Sequence, residues 1–438
     1  MKYEEALDYI ASLAPRGWRL GLDRMRELLL RADLENAVGT ADGAKFIHVT
    51  GTNGKGSVTA FLQSLLVSQG YRTGSFFSPY VYDPRERLQF NRELISKRDL
   101  ARLTAALQGP AESLADTEFG GTTEFEFKAA LGFQYWREKK CDWVALEVGL
   151  GGRLDATNVV MPKASVIVSI GLDHTTILGP ILEKIAEEKA GIIKPNTPVI
   201  VGDMPAEPSG VIERVAAANN APMWRYGREL LLAKEGEYFR VTTPKSSFPG
   251  LMPGLTGAMQ AHNMALAVAA VDAAGALRDA AAIAQGAAGA RLPGRFERRT
   301  VKGKEVVLDG AHNPDAAKVL RKNLKEFYPG RRVTLLTGMV AGHDPALFFE
   351  AIADMVESAF IVPIDFHRAV PAEELGAVLK DLVSKVHLCD SIREGIERAL
   401  AAAEADGLVV VTGSFYLVGQ VGPVLQDQKT LALTRFII

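Results

Sequence analysis

The segment Lys45–Ser57, KFIHVTGTNGKGS, combines residue types that bind phosphate. Its glycines allow backbone N–H groups to close around an anion, and the helix predicted to follow adds the positive end of its dipole. Lys55 supplies a cation, and the Ser57 hydroxyl could reach a metal ion bound to the phosphates. Val49 replaces the first glycine of the usual G-x-x-x-x-G-K-[ST] pattern, and Gly56 separates the lysine from the serine, so a simple turn is the alternative. We interpret the segment as a nucleotide site.

Polar residues also occur at the ends of predicted strands in the first half of the chain. Glu147 lies at the end of the apolar run DWVALEV, and Asp173 and His174 follow SVIVSIG. In α/β sheets ligands bind beyond the carboxyl ends of the strands, so Ser57, Glu147 and His174 are candidate metal ligands. These donors could hold Mg²⁺, although this ion prefers oxygen and retains several waters. For His174 a capping or hydrogen-bonding role is the alternative.

The motif LDGAHNPDA in the second half has the same character, because an acidic residue at a strand end precedes polar residues at a helix start. Asp309 could accept a hydrogen bond from a ribose hydroxyl, and His312 or Asn313 could contact phosphate or a base edge. A helix cap by Asn313 with Pro314 at the first helical position explains part of the motif. Arg295 is either a surface charge or a phosphate or adenine contact supplied when two domains close.

Two further segments are open to two interpretations. Lys189 in EKAGIIKP shares a predicted helix with three glutamates, and this pattern alone favours an exposed, charged face. Tyr80–Glu93 is polar, charged and aromatic, so it is either an ordered loop over the nucleotide site or a solvated connection.

Strands and helices alternate through the first two hundred residues, which predicts an α/β fold with a doubly wound, mostly parallel sheet. Helices are predicted at Tyr3–Leu13, Leu22–Ala32, Val58–Gln69, Arg98–Leu107, Thr123–Glu138 and Ile181–Gly191, with a loop at Pro110–Gly121. Strands are predicted at Tyr71–Ser78, Asp142–Val148, Ser165–Ile170 and Pro198–Val201. Tyr238–Thr243 and its neighbours predict antiparallel strands at the edge of this sheet. The alanine-rich run Ala258–Arg291 predicts helical structure carrying Gln260, His262 and Asn263.

Leu292-Pro293-Gly294-Arg295 breaks the helical pattern and predicts a boundary between domains at 1–293 and 294–438. A chain of 438 residues is too long for one compact core, which also favours two domains. The second part predicts another α/β unit, with strands at Glu305–Asp309, Val333–Thr337, Ala359–Val362 and Leu408–Thr412.

Charge and cysteine content narrow the class of protein. A net charge of −2 gives no electrostatic case for binding nucleic acid or an anionic membrane. Two distant cysteines favour a reducing compartment over a disulfide framework. The first residues, MKYEEALDYI, lack the basic start of a signal peptide, and no apolar run is long enough for a membrane span. We therefore expect a cytoplasmic protein without nucleic-acid or membrane partners.

Together the motifs closely resemble the folylpolyglutamate synthase/dihydrofolate synthase family of the Mur ligases. The matching segments are HVTGTNGKGS, FSPY with RERLQFN, TEFEFKAALGF, LEVGLGGRLDATN, GLDHT, EKAGIIKP, GRFE, LDGAHNPDA and VTGSFYLVG. The resemblance implies a P-loop domain followed by a smaller Rossmann-like α/β domain, with the active site between them. It also implies that ATP phosphorylates the carboxylate of a pteroate or folate, and that the amine of L-glutamate then attacks the acyl phosphate.

The resemblance implies roles for individual residues. The ATP-binding residues would be Thr52, Asn53, Gly54, Lys55, Gly56, Ser57, Asn263, Arg295 and Asp309. The dihydropteroate-binding residues would be Thr123, Glu124, Phe125, Glu126, Leu154, Asp155 and Ala156. Ser78, Glu147 and His174 resemble the metal ligands, beside Ser57. The catalytic residues would be Lys55, His312 and Lys189, and Lys189 resembles the lysine that the family carbamylates to orient the metal or the acyl phosphate.

The implied partners are ATP, L-glutamate, dihydropteroate and reduced folates, with Mg²⁺, room for a monovalent cation, and a monomeric chain. Tyr80 replaces the histidine usual after Ser-Pro, and Lys128 stands where a small hydroxyl residue is common; both bear on pterin preference. The TEFE segment favours both ligase activities over folylpolyglutamate synthesis alone. A P-loop switch or binding protein is an alternative of another class, and an amide ligase for cell-wall precursors is the nearer rival.

Overall fold

The computed structural model describes residues 1–17, 19–38, 43–172, 179, 181–404 and 406–427. Its largest sheet has eight strands in the order β4-β3-β2-β5-β1-β6-β7-β8. Their bounds are β1 Lys45–Thr50, β2 Thr73–Phe76, β3 Leu88–Phe90, β4 Glu93–Leu94, β5 Trp143–Glu147, β6 Ala164–Ile167, β7 Val199–Val201 and β8 Met223–Arg225. From β2 to β8 the pairing is parallel, whereas β3 and β4 form an antiparallel edge. The predicted doubly wound, mostly parallel sheet is confirmed.

Strand β1 lies between β5 and β6, and this register positions the phosphate loop. Val49 pairs with Glu147, so the loop after β1 leaves the sheet beside the carboxylate that ends β5. Both strands are almost wholly buried, as expected for parallel strands covered on two faces.

Helices cover this sheet on both faces. Their bounds are α1 Tyr3–Ser12, α2 Asp23–Arg31, α3 Lys55–Ser68, α4 Lys97–Glu112, α5 Glu124–Glu138, α6 Leu182–Ala190, α7 Ala206–Ala218, α8 Gln260–Ala273 and α9 Ala282–Gly289. Helix α3 packs between the sheet, α8 and α9. It is buried on nearly all sides, which accounts for its mostly apolar sequence. The helix that begins at the phosphate loop is therefore held rigidly.

A second α/β unit follows. Its six strands run in the order β12-β13-β17-β14-β15-β16. They are β12 Glu297–Val301, β13 Lys304–Leu308, β14 Val333–Thr337, β15 Val356–Ile361, β16 Val386–Leu388 and β17 Leu408–Thr412. The helices are α10 Pro314–Phe327, α11 Pro345–Glu350, α12 Ala372–Lys380, α13 Ile392–Ala402 and α14 Phe415–Asp427. Apolar clusters fill both faces of this sheet, which is parallel except for β12.

Two predicted elements are wrong in detail. The antiparallel strands around Tyr238–Thr243 form a separate sheet, made of β9 Leu231–Glu235, β10 Tyr238–Thr242 and β11 Ser247–Leu251, and do not extend the edge of the main sheet. The predicted helical structure of the alanine-rich run is present as two helices, and Gly275 adopts a left-handed φ of 69° just after the first of them, α8. Helix α4 continues past Leu107 and includes Pro110, whose missing N–H removes one backbone hydrogen bond, and the helix ends two residues later at Glu112.

The segment Tyr80–Glu93 is ordered, as the first interpretation held. It contains a 3₁₀ turn at Pro84–Arg87 and strand β3, so it is built into the sheet edge. Of the helices in the described residues, none is long and apolar enough to cross a lipid bilayer.

Candidate active site

A cavity of about 850 Å³ lies where the two α/β units face each other. The phosphate loop forms one wall, and the motif after β13 forms the wall opposite. The predicted residues that line it are Thr52, Asn53, Gly54, Lys55, Gly56, Ser57, Ser78, Thr123, Glu124, Phe125, Glu126, Glu147, Leu154, Asp155, Ala156, Asn263, Arg295, Asp309 and His312. His174 lies outside the described residues.

The phosphate loop has a conformation that its glycines permit. Gly54 is the residue before α3 and has a φ of 86°, and a Cβ there would lie 2.8 Å from Val168 Cγ1 and 3.0 Å from Asn263 Oδ1. The Thr52 hydroxyl donates to the Gly171 carbonyl at 3.0 Å, which ties the loop to the segment after β6. The Lys55 ammonium donates to the backbone carbonyls of Gly51 (2.9 Å) and Thr52 (3.2 Å). The Lys55 side chain thus folds back over the loop, and its ammonium group lies at the place where a phosphate would bind.

Three of the predicted metal ligands, Ser57, Ser78 and Glu147, lie beside this loop. Ser57 is in the first turn of α3 and buried, and Glu147 is buried at the end of β5. The Ser78 backbone N–H donates to Glu147 Oε2 at 2.9 Å. Burial raises the pKa of Glu147 to about 7, and the Lys55 charge is the largest opposing influence. Burial disfavours the charged form of this carboxylate, and a divalent cation beside it would stabilise that charged form.

The donor types fit a magnesium ion held mainly by phosphate. Within the described ranges, no three His, Cys, Asp or Glu side chains gather as a metal cluster. Mg²⁺ needs only one or two carboxylates when substrate phosphates and water complete its shell. Ser57 and Glu147 therefore suit a hard, oxygen-seeking ion that arrives with a nucleotide.

Lys189 departs from what its helix pattern alone favoured. Its side chain is buried, and Nζ donates to the Gly51 carbonyl at 3.1 Å. The expectation of an exposed charged face is wrong for Lys189: Glu183 and Glu187 are exposed, but Lys189 lies on the buried face of α6. Lys189 does not itself line the cavity, but shares the Gly51 carbonyl with Lys55. Its carbamylation stays a prediction.

The second α/β unit contributes two opposite charges, Arg295 and Asp309, each of which is partly buried. Asp309 follows β13 and accepts hydrogen bonds from the backbone N–H groups of Phe296 (2.8 Å) and Ala311 (2.9 Å). The Arg295 guanidinium stacks 3.7 Å from the Phe415 ring centroid. Burial lowers the pKa of Arg295 to about 10, and Asp309 opposes this shift. A Cβ on Gly56 would lie 3.7 Å from Arg295 Nη2, so the partly buried Arg295 lies beside the start of the phosphate-loop helix.

An amide pair links the two walls. Asn313 Nδ2 donates to Asn53 Oδ1 at 3.1 Å, and Asn53 Nδ2 donates back to Asn313 Oδ1 at 3.4 Å. Asn313 Oδ1 also accepts the Ala316 N–H at 2.9 Å, which confirms the predicted helix cap. His312 Nδ1 donates to the Gly310 carbonyl at 2.8 Å, since a carbonyl can only accept. Its ring lies 4.8 Å from that of His343, so two imidazoles face each other at the cavity wall.

The start of α5 forms the third wall, and several of its polar groups form hydrogen bonds within the protein. Thr123 caps the helix, and Glu126 Oε2 accepts from the Thr123 N–H and hydroxyl, both at 2.8 Å. Arg24 Nε donates to the same oxygen at 2.8 Å. Asp155 similarly accepts from the backbone N–H groups of Leu150 (2.9 Å) and Thr157 (2.9 Å). Both carboxylates hold the wall in place as well as lining it.

Sequence reasoning assigned no binding role to several residues of the cavity. Arg87, Lys128 and His343 all line it. Arg87 belongs to the RERLQFN motif, and Lys128 is a departure from the family pattern. The sequence shows that Arg87 is an arginine in a segment that could be ordered. It does not show that this side chain is buried.

Comparison with known families settles the class of protein. The Mur ligase middle domain matches residues 49–271, and the Mur ligase, glutamate ligase domain, matches residues 294–415. The chain belongs to the Mur ligase family. The two matches divide this Mur ligase at the same place as its two large sheets.

Relatives of this Mur ligase span its whole length. The Bacillus subtilis dihydrofolate synthase/folylpolyglutamate synthase is 32% identical over 429 residues, covering 96% of this chain and 98% of the relative. The structure of Escherichia coli FolC in complex with DHPP and ADP has a TM-score of 0.87 at 31% identity, covering 98% of this chain and 99% of that one. A Yersinia pestis bifunctional folylpolyglutamate synthase/dihydrofolate synthase complexed with AMPPNP and Mn ion has a TM-score of 0.84 at 29% identity, covering 97% and 98%. The predicted family and fold are confirmed.

Proposed function

We propose that this protein is an ATP-dependent ligase that joins L-glutamate by an amide bond to dihydropteroate and to reduced folates. One observation carries the proposal: a phosphate loop with Lys55, the charged residues Arg295 and Asp309 of a second α/β unit, and the start of α5 line a single cavity. A nucleotide switch would not need the second unit, and the full-length relatives bear the names of folate ligases.

The chemistry follows from the poor reactivity of a carboxylate at neutral pH. The γ-phosphoryl group of ATP is transferred to a carboxylate oxygen of the acceptor, and ADP leaves. The glutamate amine then attacks the acyl carbon, and phosphate leaves as the amide forms and the amine loses a proton. Lys55 is placed to offset charge on the transferred phosphoryl group. The Asn53–Asn313 contact would help the two walls exclude water from the acyl phosphate.

We propose Mg²⁺ as the ion, held by Ser57, Glu147, Ser78 and His174, with a monovalent cation as a second candidate. When bound, Mg²⁺ would neutralise phosphate charge and orient the phosphoryl group. The proposed ATP contacts are Asn53, Lys55, Asn263, Arg295 and Asp309 with the rest of the loop, and Thr123–Glu126 and Leu154–Ala156 are the proposed dihydropteroate wall. We further propose that Lys189 is carbamylated and that His312 acts near the reacting atoms. The proposed domains are residues 1–293 and 294–438, and the proposed protein is a cytoplasmic monomer.

The test is ATP-dependent phosphate release with Mg²⁺ and L-glutamate, comparing dihydropteroate, a reduced folate and no acceptor. Release that requires glutamate and occurs with both acceptors supports the bifunctional assignment. Release with the reduced folate alone reduces the function to folylpolyglutamate synthesis. Release indifferent to every acceptor and to glutamate would contradict the ligase assignment and favour a nucleotide switch.

A further inference from the structure

Arg87 is a buried cation that lines the cavity. The residue is 8% exposed, and its Nε and Nη1 atoms have no hydrogen-bond partner among the described residues. The guanidinium carbon lies 5.6 Å from the Phe76 ring centroid and 5.9 Å from that of Phe125. Aromatic faces attract a cation but do not satisfy its N–H groups, and a buried unsatisfied donor is costly. A ligand with acceptor oxygens would supply the missing hydrogen bonds.

Lys128 places a second cation in the same part of the cavity. It lies one turn after Glu124 on α5, forms an ion pair with that residue, and has a side chain that is 15% exposed. Burial and, after it, the Arg87 charge lower the pKa of Lys128 to about 8, and Glu124 opposes the shift. The charges of Glu124 and Glu147 both act on Arg87, but no described residue accepts a hydrogen bond from Arg87 Nε or Nη1.

We propose that Arg87 and Lys128 form a subsite for the non-reacting α-carboxylate of the glutamate that a reduced folate already carries. A carboxylate would accept hydrogen bonds from the unsatisfied N–H groups of the Arg87 fork, with the Lys128 ammonium beside them. The subsite deepens the proposed function and rests on it, since it concerns how the ligase distinguishes its two acceptors.

Position and chemistry both favour the acceptor as the source of this carboxylate. Lys128 lies on the same helix as Thr123–Glu126, the proposed dihydropteroate wall, whereas His312 and His343 belong to the opposite wall. Dihydropteroate has one carboxylate, which the reaction consumes, whereas a folate monoglutamate has a second that the reaction leaves intact. A cationic subsite beside the acceptor wall therefore serves the second acceptor and not the first.

The experiment compares tetrahydrofolate monoglutamate with its α-carboxamide, which retains the reacting γ-carboxylate but lacks the second charge. In the wild type we expect kcat/KM to be about 10- to 100-fold higher for the α-carboxylate form, the size of a buried charge-assisted interaction. In Lys128→Met this preference should fall to within about threefold, and in Lys128→Arg it should persist. Lys163→Met, which alters an exposed lysine away from the cavity, is the matched control and should retain the full preference.

Other results would overturn the proposal. An undiminished preference in Lys128→Met would remove Lys128 from the subsite. An equal loss of kcat/KM with dihydropteroate would assign the cluster to the reacting carboxylate, and a raised KM for L-glutamate with dihydropteroate as acceptor would assign it to the incoming amino acid. If Lys128→Met does not fold, Lys128→Gln gives the same comparison. A wild type that releases phosphate with neither acceptor would instead contradict the proposed function.

Discussion

Arg24 and Glu126 form a buried ion pair that anchors the acceptor wall, and we expect its disruption to destabilise the first α/β unit strongly. The two side chains are 9% and 3% exposed, and Arg24 Nε donates to Glu126 Oε2 at 2.8 Å. Arg24→Met would leave the carboxylate buried with the Thr123 groups as its remaining donors. Removing one partner of such a pair costs about 3–5 kcal/mol of unfolding free energy.

The same helix offers a matched control. Arg26 pairs with Asp23 at 3.3 Å, but these side chains are 63% and 82% exposed. Arg26→Met should therefore cost at most about 1 kcal/mol, because solvent screens an exposed pair. The double variant Arg24→Met/Glu126→Gln should be more stable than Arg24→Met by about 2 kcal/mol, since the uncompensated charge is gone.

Urea denaturation followed by tryptophan fluorescence suits this test. All four tryptophans precede residue 293, so their emission reports on the first α/β unit. The reasoning would be refuted if Arg24→Met and Arg26→Met lost similar free energies of unfolding, or if the double variant were less stable than Arg24→Met. Either result would mean that the charge of Glu126 is compensated by something other than Arg24.

Three further predictions concern the phosphate loop and its strand. Lys55→Met should fold normally but lower kcat about 10²- to 10³-fold in the phosphate-release assay, the effect of losing one preorganised charge; wild-type turnover would exclude the role. Gly54→Ala should raise KM for ATP at least about tenfold, because a Cβ at a φ of 86° is strained and meets Val168; an unchanged KM would contradict the loop geometry. Burial lowers the pKa of His48 to about 3, below the unfolded value near 6.5, so the unfolded chain binds the proton more readily and stability falls as pH falls. Between pH 6.5 and 5 the free energy of unfolding measured by urea titration should fall by about 2 kcal/mol because of this linkage. The loss should disappear in His48→Gln but persist in His367→Gln, the control with a substituted exposed histidine.

The phosphate loop and the Asn313 helix cap were predictable because residues adjacent in sequence determine their geometry. Strand β1, the glycine turn and the start of α3 follow one another without interruption, so KFIHVTGTNGKGS indicated a phosphate loop directly. The cap by Asn313 depends on an N–H three residues away, and Pro314 fits the first helical position beside it. Glu147 was a candidate because a parallel strand presents its carboxyl end at the ligand-binding edge of a sheet.

The sequence by itself therefore determined the family, the α/β class and the residues at the strand ends. Tertiary structure alone decided which distant groups meet. Asn53 and Asn313 are 260 positions apart, and their contact exists only because two sheets face each other. Lys189 and Arg87 carry charges whose pattern suits an exposed surface, since a sequence does not show whether water or another element covers a given face. Their burial depends on long-range packing, and that packing turns separate motifs into one cavity.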